Sequence, residues 1–582
     1  MIYNCIKSPL IFLCLIGMVL GLNAHMATHV IGASPPKVSG TLIGRDGLLA
    51  VPVMRGEFMP KPIMGVGISY DGKVYVTETI RQQREEISLI QSPFLHEKDM
   101  ELTSTKAKRQ WIIENYSPQI AARQRLKDYN SDGKVDVRDL SVRSEKIYTL
   151  QDENADGVFD KATLFADGFN KVLTGVAHSV TPIGGHVYTT IIPDLWKLTD
   201  TDGDGVADRR ESIAHGFAPH IGYGNHDLHS IVQGYDGKLY WSMGDRGLDV
   251  LTKKGKRFSN PHSGCILRCN PDGSEFEIFA NGLRNCQYFD FDNYGNIFAV
   301  DHDADFQGER ERLVYLPEGS DSGWRMYYQY RNTTLVRAAR DDLYNPWLGE
   351  KMWLPFHKGQ PSHLLPAIEN SWNAPAAFSF QPGTALDGAY KDHFLLGGMG
   401  NIRAFKMIAD GAGFKRQGEH ILIQGLGVQV LTSAFGPDGR LYFTLWRPSR
   451  GMSQLWTLQA NANSQKMNHV KEILAKDQKT QSVDELLALL GHADRRIRQQ
   501  AQFALVARGE SKALRALATN RKAELLPRLH SLWGLGQLKH RDSDLLTSLC
   551  ADDSDELRAQ AARWAGELGF DPDNRIPIML RD

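Results

Sequence analysis

Between about residues 38 and 458 the chain is written in short apolar segments that stop at Gly, Asp or Asn. Segments bounded this way predict strands joined by tight turns. One unit recurs: an apolar segment, an Asp-Gly-like turn, then a strand of small and aromatic residues. It reads "SYDGKVYVTE" around Asp71, "IGGHVYTT" around His186 and "GYDGKLYWSMGD" around Asp236. It returns as "DNYGNIFAVDHD" around Gly295, more faintly as "LDGAYKDHFLLG" around Asp387, and as "GPDGRLYFTLW" around Asp438. Repeated antiparallel sheets close most naturally by radial repetition of four-stranded blades. Six occurrences therefore predict an all-β six-bladed propeller over residues 38–458. A row of β-sandwich domains is the alternative, but it has no reason to repeat one turn dipeptide before one kind of strand.

Two stretches depart from this pattern. Residues 81–127 are long, charged and helix-compatible, and predict a helical excursion over the disc with apolar residues too sparse for a core. After residue 460 Ala, Leu and Arg dominate and the apolar period becomes helical. Aligning Arg498, Arg528 and Arg558 superposes "RQQAQFALVARG", "RLHSLWGLGQL" and "RAQAARWAGELG" at a spacing of 30 residues. Small residues recur at Ala501, Ser531 and Ala561, where helices would approach closely, and Asp494 and Asp555 sit where helices begin. Residues 465–570 are thus expected to form an all-α, HEAT-like solenoid, a scaffold open to a protein partner. An unrelated helical bundle is the alternative.

With 582 residues the chain exceeds one ordinary core, in keeping with two domains. A net charge of −1 gives no general attraction to nucleic acid or an anionic membrane. Lys7 precedes the apolar run Leu10 to Leu22, which has the length of a signal-peptide core rather than a membrane span. Residues 1–24 are read as a signal peptide and the protein as exported, periplasmic or extracellular; an uncleaved N-terminal anchor is the alternative. Cys265 and Cys269 lie four apart on one predicted strand and are expected to be buried free thiols rather than a bridge. No C-x-x-C-H haem attachment site is present.

Three acidic stretches carry chemistry. In "DTDGDGVADRRE", Asp200, Asp202, Asp204, Asp208 and Glu211 occupy positions 1, 3, 5, 9 and 12, with Gly205 at 6. Ca²⁺ takes six to eight oxygens, and this spacing wraps a short loop around one ion. Asp152, Asn154, Asp156 and Asp160 follow the same plan, as do Asp128, Asn130, Asp132, Asp136 and Asp139. Strand-like flanks such as "DLWKL" and "IYTL" make the first two calcium hairpins rather than helix-loop-helix sensors. Their expected role is structural.

The ends of the recurring hairpins carry His226, His229, Asp245, Arg246, Arg284, Asn285, Asp301, His302, Asp303 and Asp305, and His178 precedes the second unit. A propeller brings such ends together at one mouth of its channel. Here the sequence resembles a family. "GNHDLHSIVQGYDGKLYWSMGDRG" and "NGLRNCQYFDFDNYGNIFAVDHDAD" are similar to blade signatures of soluble quinoprotein glucose/sorbosone-type dehydrogenases. "RCNPDGSEFEIFANGLRN" and "EGSDSGWRMYYQY", followed by helical repeats, resemble the propeller-plus-HEAT proteins of planctomycete and verrucomicrobial bacteria known as membrane-bound dehydrogenases.

The resemblance implies a six-bladed propeller that oxidises a sugar or polyol hydroxyl with pyrroloquinoline quinone and Ca²⁺. It implies His226 as general base, Asp245 as the Asp of the "GD" step, and Arg284 as a quinone contact. His178, His229 and Asp303 join them as candidate cofactor-binding residues. The family's late-blade basic residues have no counterpart in "LLGGMGNIRAF" or "ILIQGLGVQVLTSAF". No C-terminal haem module follows either, so the electron acceptor would be a separate cytochrome or other protein. Two other functions fit the same residues. One is a non-catalytic carbohydrate- or protein-binding propeller; the other is a metal-dependent propeller hydrolase or lactonase, with His178, His226, Asp245 and Asp303 around an ion.

Overall fold

Four antiparallel sheets of four strands follow one another along the chain in a computed structural model that describes residues 41–569 apart from 56–58, 61, 82–84, 303–308, 331–344, 371–373, 448–451 and 461–464. The first sheet comprises Ile63–Ile68, Val74–Glu78, Glu145–Gln151 and Lys161–Phe169. The second comprises Ala177–Ile183, His186–Ile191, Asp194–Thr199 and Arg209–His215. The third runs through Leu228–Gln233, Leu239–Met243, Gly264–Cys269 and Glu277–Leu283. The fourth runs through Cys286–Phe291, Ile297–Asp301, Arg312–Tyr315 and Glu369–Asn370. Each is a meander in which sequence neighbours pair, and together they are blades of a β-propeller. The remaining long strands belong to one eight-stranded sheet. Within it Gly413–Phe435 pairs with Met399–Asp410 along its first part, and with Leu441–Arg447 from Gln429 onward.

The recurring turns are what the sequence pattern implied. At Tyr235–Lys238 the Gly234 N–H donates to Lys238 O at 2.9 Å, and Gly237 takes φ +80°, a conformation that favours glycine. Apolar residues of the second strands fill the space between blades. Leu239, Tyr240, Trp241 and Met243 are all buried, each large side chain contributing on the order of 1.5–3 kcal/mol of burial. Cys265, Cys269 and Cys286 are buried free thiols, and Cys550 is buried and in no disulfide.

The insertion between the second and third strands of the first blade differs from expectation. It is helical, with His96–Glu101, Thr105–Asn115 and Pro118–Arg123, but it has a core. Leu95, Leu102, Ile112, Ile120 and Leu126 pack together with Ile221 and Met326 of the propeller. These apolar positions are spread over the three short helices and the segments that flank them, so no single stretch looks hydrophobic.

The C-terminal region is helical. Helices Arg495–Ala507, Leu525–Gln537 and Asp555–Glu567 begin 30 residues apart, and Ala501, Ser531 and Ala561 are buried within them. Asp494 caps the first through the Arg496 N–H, while Ser554 rather than Asp555 caps the third. Their propeller-facing side meets the turn end of the blades. Trp533 stacks on Tyr235 at 4.4 Å, Arg495 pairs with Asp290 at 2.7 Å, and Gln502 donates to Tyr235 O at 2.6 Å.

Candidate functional site

Because the turns occupy the C-terminal ends of the first strands, the N-terminal starts of those strands gather at the opposite end of the blades. The second blade starts with His178 and the third with His229 as second residues. His226 lies just before the third, and Arg284 and Asn285 lie just before the fourth. Asp245 follows the second strand of the third blade and Asp301 ends that of the fourth.

A buried histidine–carboxylate pair is the centre of this cluster. His226 Nδ1 stands 2.7 Å from Asp245 Oδ1, and Asp245 Oδ2 accepts the Trp324 indole N–H at 2.9 Å. Asp245 is fully buried and His226 is 7% exposed, so the pair is shielded from bulk water. Burial alone would raise the Asp245 carboxyl. The His226 ring, Arg284 and the Trp324 N–H outweigh it and hold the group below its ordinary range. An ionised carboxylate can only accept, so Nδ1 carries the proton and Nε2 is the basic nitrogen.

Around the pair the remaining groups are locked. His229 Nε2 meets Asn285 Oδ1 at 3.1 Å, and burial holds that ring neutral, well below the usual histidine pKa. His178 stacks edge-on against His229 with centroids 4.1 Å apart. Its Nε2 lies 3.8 Å from Asp227 Oδ2, and both atoms are buried without a hydrogen-bond partner. Arg246, 1% exposed, is held by both Asp227 and Glu86. Arg312 pairs with Asp301, which also accepts the Arg284 and Asn285 backbone N–H groups at 3.1 and 2.9 Å. The Arg284 side chain donates to His302 O at 2.8 Å and lies 5.7 Å from the Trp324 ring centroid. Asp303 and Asp305 fall outside the described residues.

Sequence reasoning missed Trp324, Glu86, Arg312 and Lys108. Trp324 lies in the long connection after Arg312–Tyr315, Glu86 in the helical insertion, and Arg312 at the start of a third strand, so none marks the end of a recurring hairpin. Lys108 reaches in from the insertion and donates to Ala218 O at 3.0 Å and His220 O at 2.9 Å, pinning the segment that leads to His226. Burial, and then Arg246, push its pKa down to about 7. "SGWRM" marked Trp324 as part of the resemblance but gave it no role.

The acidic loops lie away from this cluster, and they are not equivalent. In each, the position-1 carboxylate accepts the N–H of the position-6 glycine: Asp200 from Gly205 at 2.9 Å, Asp152 from Gly157 at 2.7 Å, Asp128 from Gly133 at 2.9 Å. Among the described residues only Asp200, Asp202 and Asp208 bring ligand oxygens within 4.8 Å of one another. Asp204 turns to the Val206 N–H at 2.8 Å, and Glu211 pairs with Arg209 at 3.2 Å. In the other loops an arginine supplies the positive charge: Arg55 at Asp156, and Arg138 at both Asp132 and Asp136. There Asp139 is buried and accepts from the Tyr129 and Asn130 N–H groups, while Asp160 accepts from Glu153 N–H and Asn154 from Asp156 N–H.

A family model described as a domain of unknown function, DUF7133, matches residues 124–446, more than half of the chain. The chain belongs to this DUF7133 family. No curated protein matches it. Among solved structures it is similar to the PQQ-bound form of an aldose sugar dehydrogenase from Streptomyces coelicolor. The identity is 13%, over 73% of this chain and 99% of that one, with a TM-score of 0.41. The holo pyranose dehydrogenase PQQ domain from Coprinopsis cinerea is 10% identical over 74% and 98%, TM-score 0.41. A calcium structure of a family AA12 carbohydrate-active enzyme from Trichoderma reesei is 10% identical over 72% and 97%, TM-score 0.39. At these values the likeness carries neither activity nor cofactor to the DUF7133 chain.

Two groups can be set against these residues, a divalent cation at the Asp200 loop and pyrroloquinoline quinone at the mouth. The Asp200, Asp202 and Asp208 oxygens suit a hard divalent cation such as Ca²⁺. Pyrroloquinoline quinone, with three carboxylates, fits poorly. Arg246 and Arg312 already serve internal carboxylates, and Arg284 serves a carbonyl. At the same end of the blades Met64, at the start of the first blade, and Val176, just before the second, form a buried apolar cluster with Ala376, Leu431 and Trp446. An unpaired carboxylate against such a wall costs several kcal/mol.

Proposed function

We propose that this DUF7133 chain is a dehydrogenase-like propeller enzyme in which His226 removes the proton from a hydroxyl of a sugar or polyol. The observation that carries the reading is the 2.7 Å contact between His226 Nδ1 and the buried Asp245 carboxylate. With Nδ1–H directed at Asp245, Nε2 takes the hydroxyl proton, and the imidazolium that forms is stabilised by Asp245. As the O–H proton leaves, the carbinol hydride departs to a two-electron acceptor on a separate molecule, and the C–O bond becomes a carbonyl. Trp324 and the Arg284 carbonyl, which accepts the Asp245 N–H at 2.7 Å, keep the carboxylate from turning. The test is a screen of sugars and polyols with an artificial phenazine acceptor, comparing wild type with His226→Asn.

The finer architecture belongs to the same proposal. The eight-stranded sheet is read as two further blades, making six, with Leu49–Pro52 on Met452–Gln459 as the closing pair. This is supported by the change of partner within Gly413–Phe435 at Gln429. The period of 30 in the C-terminal helices supports a HEAT-like solenoid. The Asp200 loop is proposed to hold structural Ca²⁺. Export, and kinship with the planctomycete and verrucomicrobial proteins, rest on sequence alone, and any protein partner of the helices is likewise a proposal.

A second reading, a metal-dependent hydrolase, draws on the unpartnered His178 Nε2 and Asp227 Oδ2, 3.8 Å apart. It ranks lower because no third described ligand joins them within 4.8 Å. Zinc-dependent lactonase activity lost in His178→Ala would favour it.

A further inference from the structure

A mouth that holds a polyanion needs positive charge left over once its own carboxylates are satisfied. The described residues here leave no such surplus. Asp227, Asp245, Asp301 and Glu86, all largely or wholly buried, stand against Arg246, Arg284, Arg312 and Lys108, whose amine is held to a pKa of about 7 and already donates to two backbone carbonyls. Arg246 is shared between two of them, and Arg312 is committed to Asp301. Asp227 also keeps one fully buried oxygen, 3.8 Å from His178 Nε2 and without a hydrogen-bond partner, so the carboxylates already present are short of donors before any ligand arrives. The wall built from Met64, Val176, Ala376, Leu431 and Trp446 adds no donor except the last indole, and no charge.

We infer that the mouth accepts an uncharged polyhydroxyl ligand and does not hold the tricarboxylate quinone, because among the described residues Arg246 and Arg312 are consumed as internal counterions and Arg284 is engaged by the His302 carbonyl. Glu86 is the telling residue. It enters from the start of the helical insertion, not from a blade, and its contact with Arg246 takes up a guanidinium that would otherwise face an incoming anion beside Asp227. The insertion thereby sets the charge preference of the mouth. This rests on the proposed function only for where the ligand sits.

The experiment is calorimetric titration of the full chain with pyrroloquinoline quinone at low ionic strength and 1 mM-scale Ca²⁺, for wild type, Glu86→Gln and Arg284→Ala. The expected result is no saturable heat for wild type up to about 0.5 mM, and at least a ~10-fold gain in affinity for Glu86→Gln, in which Arg246 is partly released. Saturable micromolar binding by wild type, weakened by Arg284→Ala, would overturn the inference. So would a Glu86→Gln protein of unchanged melting temperature that binds no better than wild type. Asp227→Asn releases the same guanidinium and replaces Glu86→Gln if that variant melts early. The two proposals fail separately. A chain that oxidises no polyol and binds no quinone defeats the function and leaves this inference standing; a chain that binds the quinone and oxidises polyols does the reverse.

Discussion

His226 and Asp245 meet through Nδ1 and Oδ1 at 2.7 Å, with the carboxylate fully buried and its second oxygen held by Trp324. A histidine so placed has one tautomer and one basic nitrogen. Asp245→Asn offers the ring an amide instead, which stabilises no imidazolium. Turnover should fall about 10³- to 10⁴-fold while the melting temperature changes little. Equal turnover in wild type and variant would remove Asp245 from the mechanism.

Trp324→Phe tests the second contact. The indole N–H is one of the groups holding the Asp245 carboxyl below its ordinary range. Its loss should raise that pKa and move the acid limb of the rate profile to higher pH. A single hydrogen bond to a charged group corresponds to about 1.5–3 kcal/mol, so a roughly 10- to 100-fold drop near the acid limb is expected. An unmoved limb would mean that the contact is only packing.

Lys108 gives a stability prediction. Its folded pKa is lowered to about 7, so between that value and about 10.4 the unfolded chain binds a proton that the folded chain does not. Stability must therefore rise with pH across this window on account of Lys108. Urea midpoints from pH 7 to 10 should climb more steeply in wild type than in Lys108→Met. Parallel curves would contradict the burial of a neutral amine.

Trp533→Ala removes the stack on Tyr235, where the helical region meets the third blade. Large-to-small changes of a buried aromatic cost about 3–5 kcal/mol. Limited proteolysis should then cut between the propeller and the helices at a protease level that leaves wild type intact. Unchanged cleavage would show that Arg495, Gln502 and Arg496, whose guanidinium donates to Gly436 O at 2.9 Å, hold the helices without it.

For the acidic loops, chelator should lower the melting temperature of wild type, and Asp200→Ala should be insensitive to chelator. Asp156→Ala should retain the response, because Arg55 already neutralises that loop. The check is a thermal melt with and without Ca²⁺, and loss of the response in Asp156→Ala alone would assign the ion to the wrong loop.

Much of the fold was legible because strand alternation and turn glycine are local signals. The Asp-Gly-like turns at Gly237 and Gly439 announced their hairpins. His226, Asp245 and Arg284 were legible because a repeat places equivalent ends together. Glu86, Lys108 and Trp324 were not, since they come from an insertion and a long connection whose return to the mouth no period records. The insertion's core escaped for the same reason: Leu95, Ile112 and Ile120 find partners such as Ile221 only in three dimensions.

The most direct measurement is the initial rate of oxidation of uncharged sugars and polyols with a phenazine acceptor, for wild type and His226→Asn side by side. Turnover by wild type that falls at least ~10³-fold in the variant, at equal melting temperature, is the result expected of a general base. Equal rates in the two proteins, or no turnover of any hydroxylated substrate by wild type, would contradict it.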